Sequence, residues 1–211
     1  MLVHPDEKVP IARLLTFLEH GERMAHDCAK AQASLSKDSG ARRFLLSQAR
    51  QEAMHARVFQ GAIVWLSPKH LRDSPFLPAL EEYRRMLNDA LARRDLMETF
   101  LAEQVVLEGL GEAILTRIEQ GLAKRAAPFG HLRRILLRQE EAHHGFGRRQ
   151  LERGVERGET DPQTLRRQAE RYLDLTDAMV LTLCDLFDSI DEDADAWAAD
   201  VRIFLPDWCV A

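Results

Sequence analysis

The chain has 211 residues, 45% hydrophobic and 30% charged, which allows one sizeable core and leaves little room for a second domain. Its 29 Lys and Arg are outnumbered by 34 Asp and Glu. The resulting net charge of −5 and pI near 5.9 argue against a dedicated nucleic-acid binder, which usually presents a basic face.

Helical periodicity dominates, and no stretch alternates as a strand does. A first helix is expected from near Pro10, a favoured first-turn residue, to about Ser36. Lys37-Asp38-Ser39-Gly40 reads as a turn in which Asp38 or Ser39 caps a second helix running to about Leu66. Ser67-Pro68 closes that helix. Pro68, Pro75 and Pro78 then break up the connection before an amphipathic segment from about Ala79 to Arg93. A third long helix follows from about Asp95 to Leu122, then a turn at Ala127-Pro128-Phe129-Gly130 and a fourth helix from about His131 to Arg153. Beyond Gly154 to Pro162 a fifth helix is expected over about Gln163 to Ile190. The acidic stretch Asp191 to Asp195 reads as a cap or solvated turn before a short tail.

Short turns join helices one and two, and three and four, so each pair should pack antiparallel. The roughly 28 residues between helices two and three are enough to carry the chain back along the bundle. The expected fold is therefore all-α: a four-helix bundle with one long crossover between helices two and three and an additional C-terminal helix. A single domain over 1–211 is expected, with its core at about 10–155 and the last helix and tail at about 160–211. No apolar run approaches the roughly 18–20 residues that span a bilayer. The segment from Met1 to Pro10 holds Asp6 and Glu7 and lacks the apolar stretch of a secretory signal. Cys28, Cys184 and Cys209 are far apart and odd in number, which argues against a disulfide framework and for a reducing cytoplasm.

Two segments share one pattern: Arg50-Gln51-Glu52-Ala53-Met54-His55 and Arg138-Gln139-Glu140-Glu141-Ala142-His143 both read Arg-Gln-Glu-x-x-His. Residues three apart on a helix share a face, so each Glu and His can point together into a core. A Glu-x-x-His on each of two helices, with one Glu from each of two others, is the donor set of dinuclear carboxylate sites. Glu22 and Glu108 are the candidates for the remaining carboxylates. Glu22, Glu52, Glu108 and Glu140 each fall about 10–14 residues into their helices, so all four lie about 15–20 Å deep, near mid-bundle. Apolar neighbours such as Leu18, Phe59, Val105 and Leu136 show that these carboxylates interrupt the core stripe.

Four carboxylates brought together without water would repel one another, and two divalent cations would remove that conflict. Carboxylate and imidazole donors without thiolate suit iron or manganese better than structural zinc. One Glu-x-x-His alone carries little, since about one is expected by chance. The repetition, the shared Arg-Gln frame and the matched depth distinguish this case. Glu141 with His144 forms an overlapping pair about 100° round the helix. Glu19 competes with Glu22, and Glu112 with Glu108. Gln51, Gln139, His26, Glu112 and His144 are candidates for orienting the ligands, and ordinary boundary charge is the alternative for each. Gly109 and Gly111, with Gly145 and Gly147, flank the ligand layer and either open a cavity or allow close helix packing.

The stretch Glu140-Glu141-Ala142-His143-His144-Gly145-Phe146-Gly147 resembles the Glu-Ala-Arg-His-x-x-Phe-Gly segment of the ferritin-like di-iron carboxylate superfamily, in its oxygenase and ribonucleotide reductase small-subunit members. Gly21-Glu22, followed by Ala25, His26 and Asp27, is similar to the first ligand helix of the aldehyde-deformylating oxygenases, and Leu107-Glu108 to their third. The likeness covers about residues 10–155. Gln139 stands where family members often carry Asp. Tyr83 and Tyr172 lie outside the ligand helices, which disfavours a radical tyrosine. No Cys-rich segment suggests a rubrerythrin, and the crossover is longer than that of a bacterioferritin.

The resemblance implies a ferritin-like bundle and oxygen chemistry: two metal ions, iron first, with manganese or a mixed pair as alternatives, acting on O2 and a small organic substrate. An external electron donor and a homodimer are compatible with it. Iron oxidation and storage in a ferritin-like shell, a tRNA-modifying di-iron hydroxylase and a metal-free helical binding module are the competing classes. The acidic balance disfavours the tRNA enzyme.

Overall fold

The computed structural model describes residues 8–66, 74–124, 130–183, 187–188, 193–203 and 205–207, and among them all regular structure is helical. Helix α1 (Lys8–Leu35) and helix α2 (Ser39–Leu66) make the most extensive pairing. Asp38 closes the turn between them: its Oδ1 accepts the backbone N–H groups of Gly40 at 2.6 Å and Ala41 at 2.9 Å. Those two bonds satisfy orphan donors of the first turn and hold the Asp38 carboxyl below its usual range.

Helix α3 (Leu77–Ala92) has Pro78 in its first turn and packs on α1 and on the later helix α7 (Pro162–Leu181). Tyr83 and Tyr172 meet there with ring centroids 4.8 Å apart. Helix α3 ends in two backbone bonds, Arg94 N–H to Leu91 O at 2.9 Å and Asp95 N–H to Ala90 O at 3.0 Å, with Arg94 at φ 60°.

The third long helical unit is composite. Asp95 caps α4 (Leu96–Phe100) by accepting from Glu98 N–H at 3.0 Å. A π-helical segment (Leu101–Leu107) follows and leads directly into α5 (Glu108–Lys124). Helix α6 (Gly130–Glu156) packs on α5 and on the π segment. Asp161 caps α7, and α8 (Ala194–Ile203) lies against α5 and α7. Leu14, Leu45, Leu80, Leu101, Ile114, Leu151, Leu165 and Trp197, drawn from eight of these elements, belong to one buried cluster.

Three expectations need correction. The third helix contains a π segment, because the chain accommodates Glu103 and Gln104 in the interior by widening the helix (see below). The fifth helix stops at Leu181 rather than near Ile190: Thr182 turns its hydroxyl onto the Met179 carbonyl at 2.7 Å, and Leu183 N–H bonds back three residues to Val180. The C-terminal stretch is more than a tail, since Asp193 starts α8 by accepting the Asp195 N–H at 2.9 Å. The expected closure at Ser67-Pro68 and the first three residues of the expected turn at 127–130 lie outside the described residues, and Gly130 opens α6.

Candidate metal centre

Helical spacing sets the site. On α2, Glu52 and His55 share a face, and on α6, Glu140 and His143 do the same. Glu22 comes from α1, and Glu108 is the first residue after the π segment. None of the six is more than 8% exposed.

They form two groups, Glu22–Glu52–His55–Glu140 and Glu52–Glu108–Glu140–His143, each offering ligand atoms within 4.8 Å of one another. The two groups share Glu52 and Glu140. His55 Nδ1 lies 3.1 Å from Glu52 Oε2, 3.0 Å from Glu140 Oε1 and 3.3 Å from Glu22 Oε2. His143 Nδ1 lies 2.8 Å from Glu52 Oε1, 3.7 Å from Glu108 Oε2 and 3.9 Å from Glu140 Oε2. Each shared carboxylate thus turns one oxygen to each histidine. Both oxygens of Glu52, Oε1 of Glu140 and the Nδ1 atoms of His55 and His143 are buried without a hydrogen-bond partner. Interiors rarely leave such atoms unpaired. Four carboxylates and two neutral imidazoles carry the charge that two divalent cations cancel, so this donor set fits a metal pair.

Without metal, protons must take the cations' place. Burial and the neighbouring Glu140 push the Glu22 carboxyl well up. Burial, followed by Glu140, raises Glu108 to about 7. Glu140 moves the other way, because its contacts to Glu108, His143 and His55 outweigh its own burial. Burial works against charging His55 and His143, but the surrounding carboxylates overcome it and raise both imidazoles far above their usual range.

The far nitrogen of each imidazole is held by the opposite helix. His55 Nε2 donates to Gln139 Oε1 at 2.8 Å, and His143 Nε2 donates to Gln51 Oε1 at 2.7 Å. This fixes the tautomer with Nδ1 free to bind a cation, as outer carboxylates and carbonyls do at metal-bound histidines. Phe44 closes the site by setting its edge to His143, with centroids 6.1 Å apart, and by stacking on Phe146 at 4.1 Å.

Beside Glu108 lies a polar layer that no sequence motif marks. Gln48 Nε2 donates to Glu103 Oε1 and to Glu108 Oε1, both at 2.9 Å, while Gln104 exchanges hydrogen bonds with Gln32. Five residues on an α-helix are about 140° apart. The π segment's wider turn, with Glu108 N–H bonded to Glu103 O, brings Glu103 and Glu108 together. Burial, then Glu108, pushes the Glu103 carboxyl well up. The signal available in the sequence was a pair of polar residues, Glu103 and Gln104, inside the apolar run that leads to Glu108.

The other candidates are placed as follows. His144 Nδ1 lies 3.3 Å from Glu112 Oε2, and both residues fall outside the two donor groups. His26 belongs to neither donor group: its Nδ1 bonds the Ala49 carbonyl oxygen at 2.5 Å, tying α1 to α2. Glu19 pairs with Arg23 and leaves the α1 position in the cluster to Glu22.

A cavity of about 30 Å³, the size of one small molecule, adjoins Glu22, Glu108 and Glu140. Phe17, Leu18, Gly21 and Gly111 help line it, and Gly109 does not. A Cβ built on Gly111 meets nothing within 4 Å. Gly147 has the opposite role, since its Cβ would fall 2.4 Å from Gln104 Cβ, so α6 rests on the π segment by close packing. At Gly145 the nearest group is the Arg149 side chain.

Among the described residues no helix is long and apolar enough to cross a membrane. No protein-family model matches the chain, and no curated protein matches it, so the case for its chemistry rests on the site itself.

Proposed function

We propose that this chain is a ferritin-like non-haem dinuclear-metal oxidoreductase that activates O2 to oxidise or oxygenate a small organic substrate. Iron is the proposed metal, with manganese or a mixed pair as alternatives. The supporting observation is the cluster of unpartnered buried donors, Glu52 Oε1 and Oε2, Glu140 Oε1 and two Nδ1 atoms, arranged as two groups that share two carboxylates.

Glu22, Glu52, His55 and Glu140 would hold one ion, and Glu52, Glu108, Glu140 and His143 the other. Bound by these residues, a reduced metal pair would supply the electrons for O2 chemistry. The chain's own residues do the rest. Glu52 and Glu140 fix the spacing of the two groups, and Gln51 and Gln139 hold the imidazole rings in one orientation. Phe17, Leu18 and Leu110 make the adjoining cavity apolar enough to admit O2 while limiting water. Gln48 holds Glu103 against Glu108, and burial of Glu103 favours its protonated form beside the ligand layer.

The test is oxygen uptake after anaerobic loading with Fe(II). Uptake in proportion to bound iron, abolished in Glu52→Ala, supports the proposal. Iron bound by the wild type that stays reduced for hours in air overturns it. Size-exclusion chromatography separates this function from storage, which requires a large hollow assembly.

A further inference from the structure

A second cleft, of about 570 Å³, opens where the α1–α2 turn, the α3–α4 turn and the last turns of α6 meet. We infer that it binds a phosphorylated small molecule with an apolar or aromatic body. Its volume lies in the range of small-ligand pockets.

Lys37, Arg94, Arg153 and Arg157 line the cleft from separate parts of the chain, together with the carboxylates of Asp38 and Glu159. The two carboxylates offset the group only in part, since Arg153 and Arg157 both act on Asp38. Asp38 is committed to the Gly40 and Ala41 N–H groups, and Glu159 reaches only Arg157, at 3.9 Å. Lys37, Arg94 and Arg153 therefore face the cleft with no carboxylate at ion-pair distance among the described residues. Three cations from three elements match the several oxygens of a phosphate better than the two of a carboxylate.

The backbone supports the assignment. Arg94 occupies the position after the α3 C-cap, at φ 60°, where glycine is the residue that fits without strain. An arginine there is unfavourable for the fold and places a guanidinium at the lip of the cleft. Leu96, Met97 and Phe100 supply an apolar side wall. Met97 is seated against α6, since a Cβ on Gly154 would fall 2.4 Å from its sulfur. Cations and an apolar wall lining one cleft suit an amphipathic phosphate ester.

Isothermal titration of the full chain with 1-naphthyl phosphate and with inorganic phosphate tests this, at low salt, before and after metal loading. Saturable one-to-one binding is expected, tighter for the naphthyl ester and independent of metal, so the outcome is separate from that of the proposed redox function. Arg94→Gly and Arg153→Gln should each weaken binding about tenfold. Arg171→Gln, which removes the same charge from α7 outside the cleft, should leave it unchanged. Arg94→Gly should also melt at a higher temperature than wild type, since glycine suits that backbone, so weaker binding cannot be attributed to unfolding. Absence of saturable binding by either probe, equal weakening in Arg171→Gln, or full affinity in Arg94→Gly would each overturn the assignment and leave these cations as charges that offset the C-terminal ends of α1, α3 and α6.

Discussion

His55 and His143 each present Nδ1 to carboxylates and donate Nε2–H to a glutamine on the other Glu-x-x-His helix. The crossed pairing gives Gln51 and Gln139 a physical role: each removes the freedom of a ring that must meet a cation in one orientation. Replacing Gln139 by Leu should lower metal affinity about 10–100-fold, measured by competition with a chelator, and leave helix content unchanged.

The same atoms bind protons when metal is absent, which sets the pH dependence. Burial raises Glu22 and Glu103 well above the ordinary 4.5 and Glu108 to about 7, while carboxylates raise His55 and His143 above 6.5. In each case the folded chain keeps a proton that the unfolded chain has lost. Stability from these groups is full below about pH 4.5 and declines as pH rises, through about 7 for Glu108 and beyond for the imidazoles. Glu140, lowered below 4.5, acts only at more acid pH and does not oppose this trend. Chelator-stripped protein should therefore melt at a higher temperature at about pH 5 than at about pH 8, and metal-loaded protein should show the reverse order. Equal melting temperatures for the stripped protein would count against the clustering of these carboxyls.

At the level of elements, the π segment is the structural device. It converts a five-residue separation into the contact between Glu103 and Glu108 and gives α6 a surface on which Gly147 can lie flush. Gly147→Ala drives a methyl group into Gln104 and should destabilise the fold by about 1–3 kcal/mol. Gly111→Ala meets open space and should instead stabilise α5 by about 0.5–1 kcal/mol while narrowing the cavity and slowing reaction with O2. Denaturant melts of the two variants check the opposite signs. Helix periodicity and turn residues located α1, α2, α3 and α6 to within a few residues, because Asp38, Pro78 and the Gly and Pro punctuation act locally. The π segment was illegible for the converse reason. A helix widens when its neighbours require it, and here the neighbours are Gln48 on α2 and Gly147 on α6, distant in sequence.

Across the whole molecule, four helices bring their carboxylates to one layer. Glu22 and Glu52 arrive on the antiparallel α1–α2 pair, Glu108 and Glu140 on α5 and α6, and the repeated Arg-Gln-Glu-x-x-His motif made that meeting readable from sequence. Gln51 and Gln139 were legible because they ride on the motif. Gln48 and Glu103 were not, since their roles depend on which helices become neighbours. Helix α7 had no motif to mark its purpose, and the structure supplies one: Gln168 and Tyr172 donate to the buried Glu98 at 2.9 and 3.1 Å, with Arg93 completing its neutralisation at 2.6 Å.

Anaerobic titration of the stripped protein with Fe(II), followed by calorimetry and metal analysis, addresses the shared-carboxylate arrangement most directly. Wild type should take up close to two equivalents per chain with a rise in melting temperature, and Glu52→Ala should lose both sites together, because its two oxygens serve both groups. Uptake below about half an equivalent, or a Glu52→Ala variant that binds iron as wild type does, would contradict a dinuclear centre at this position.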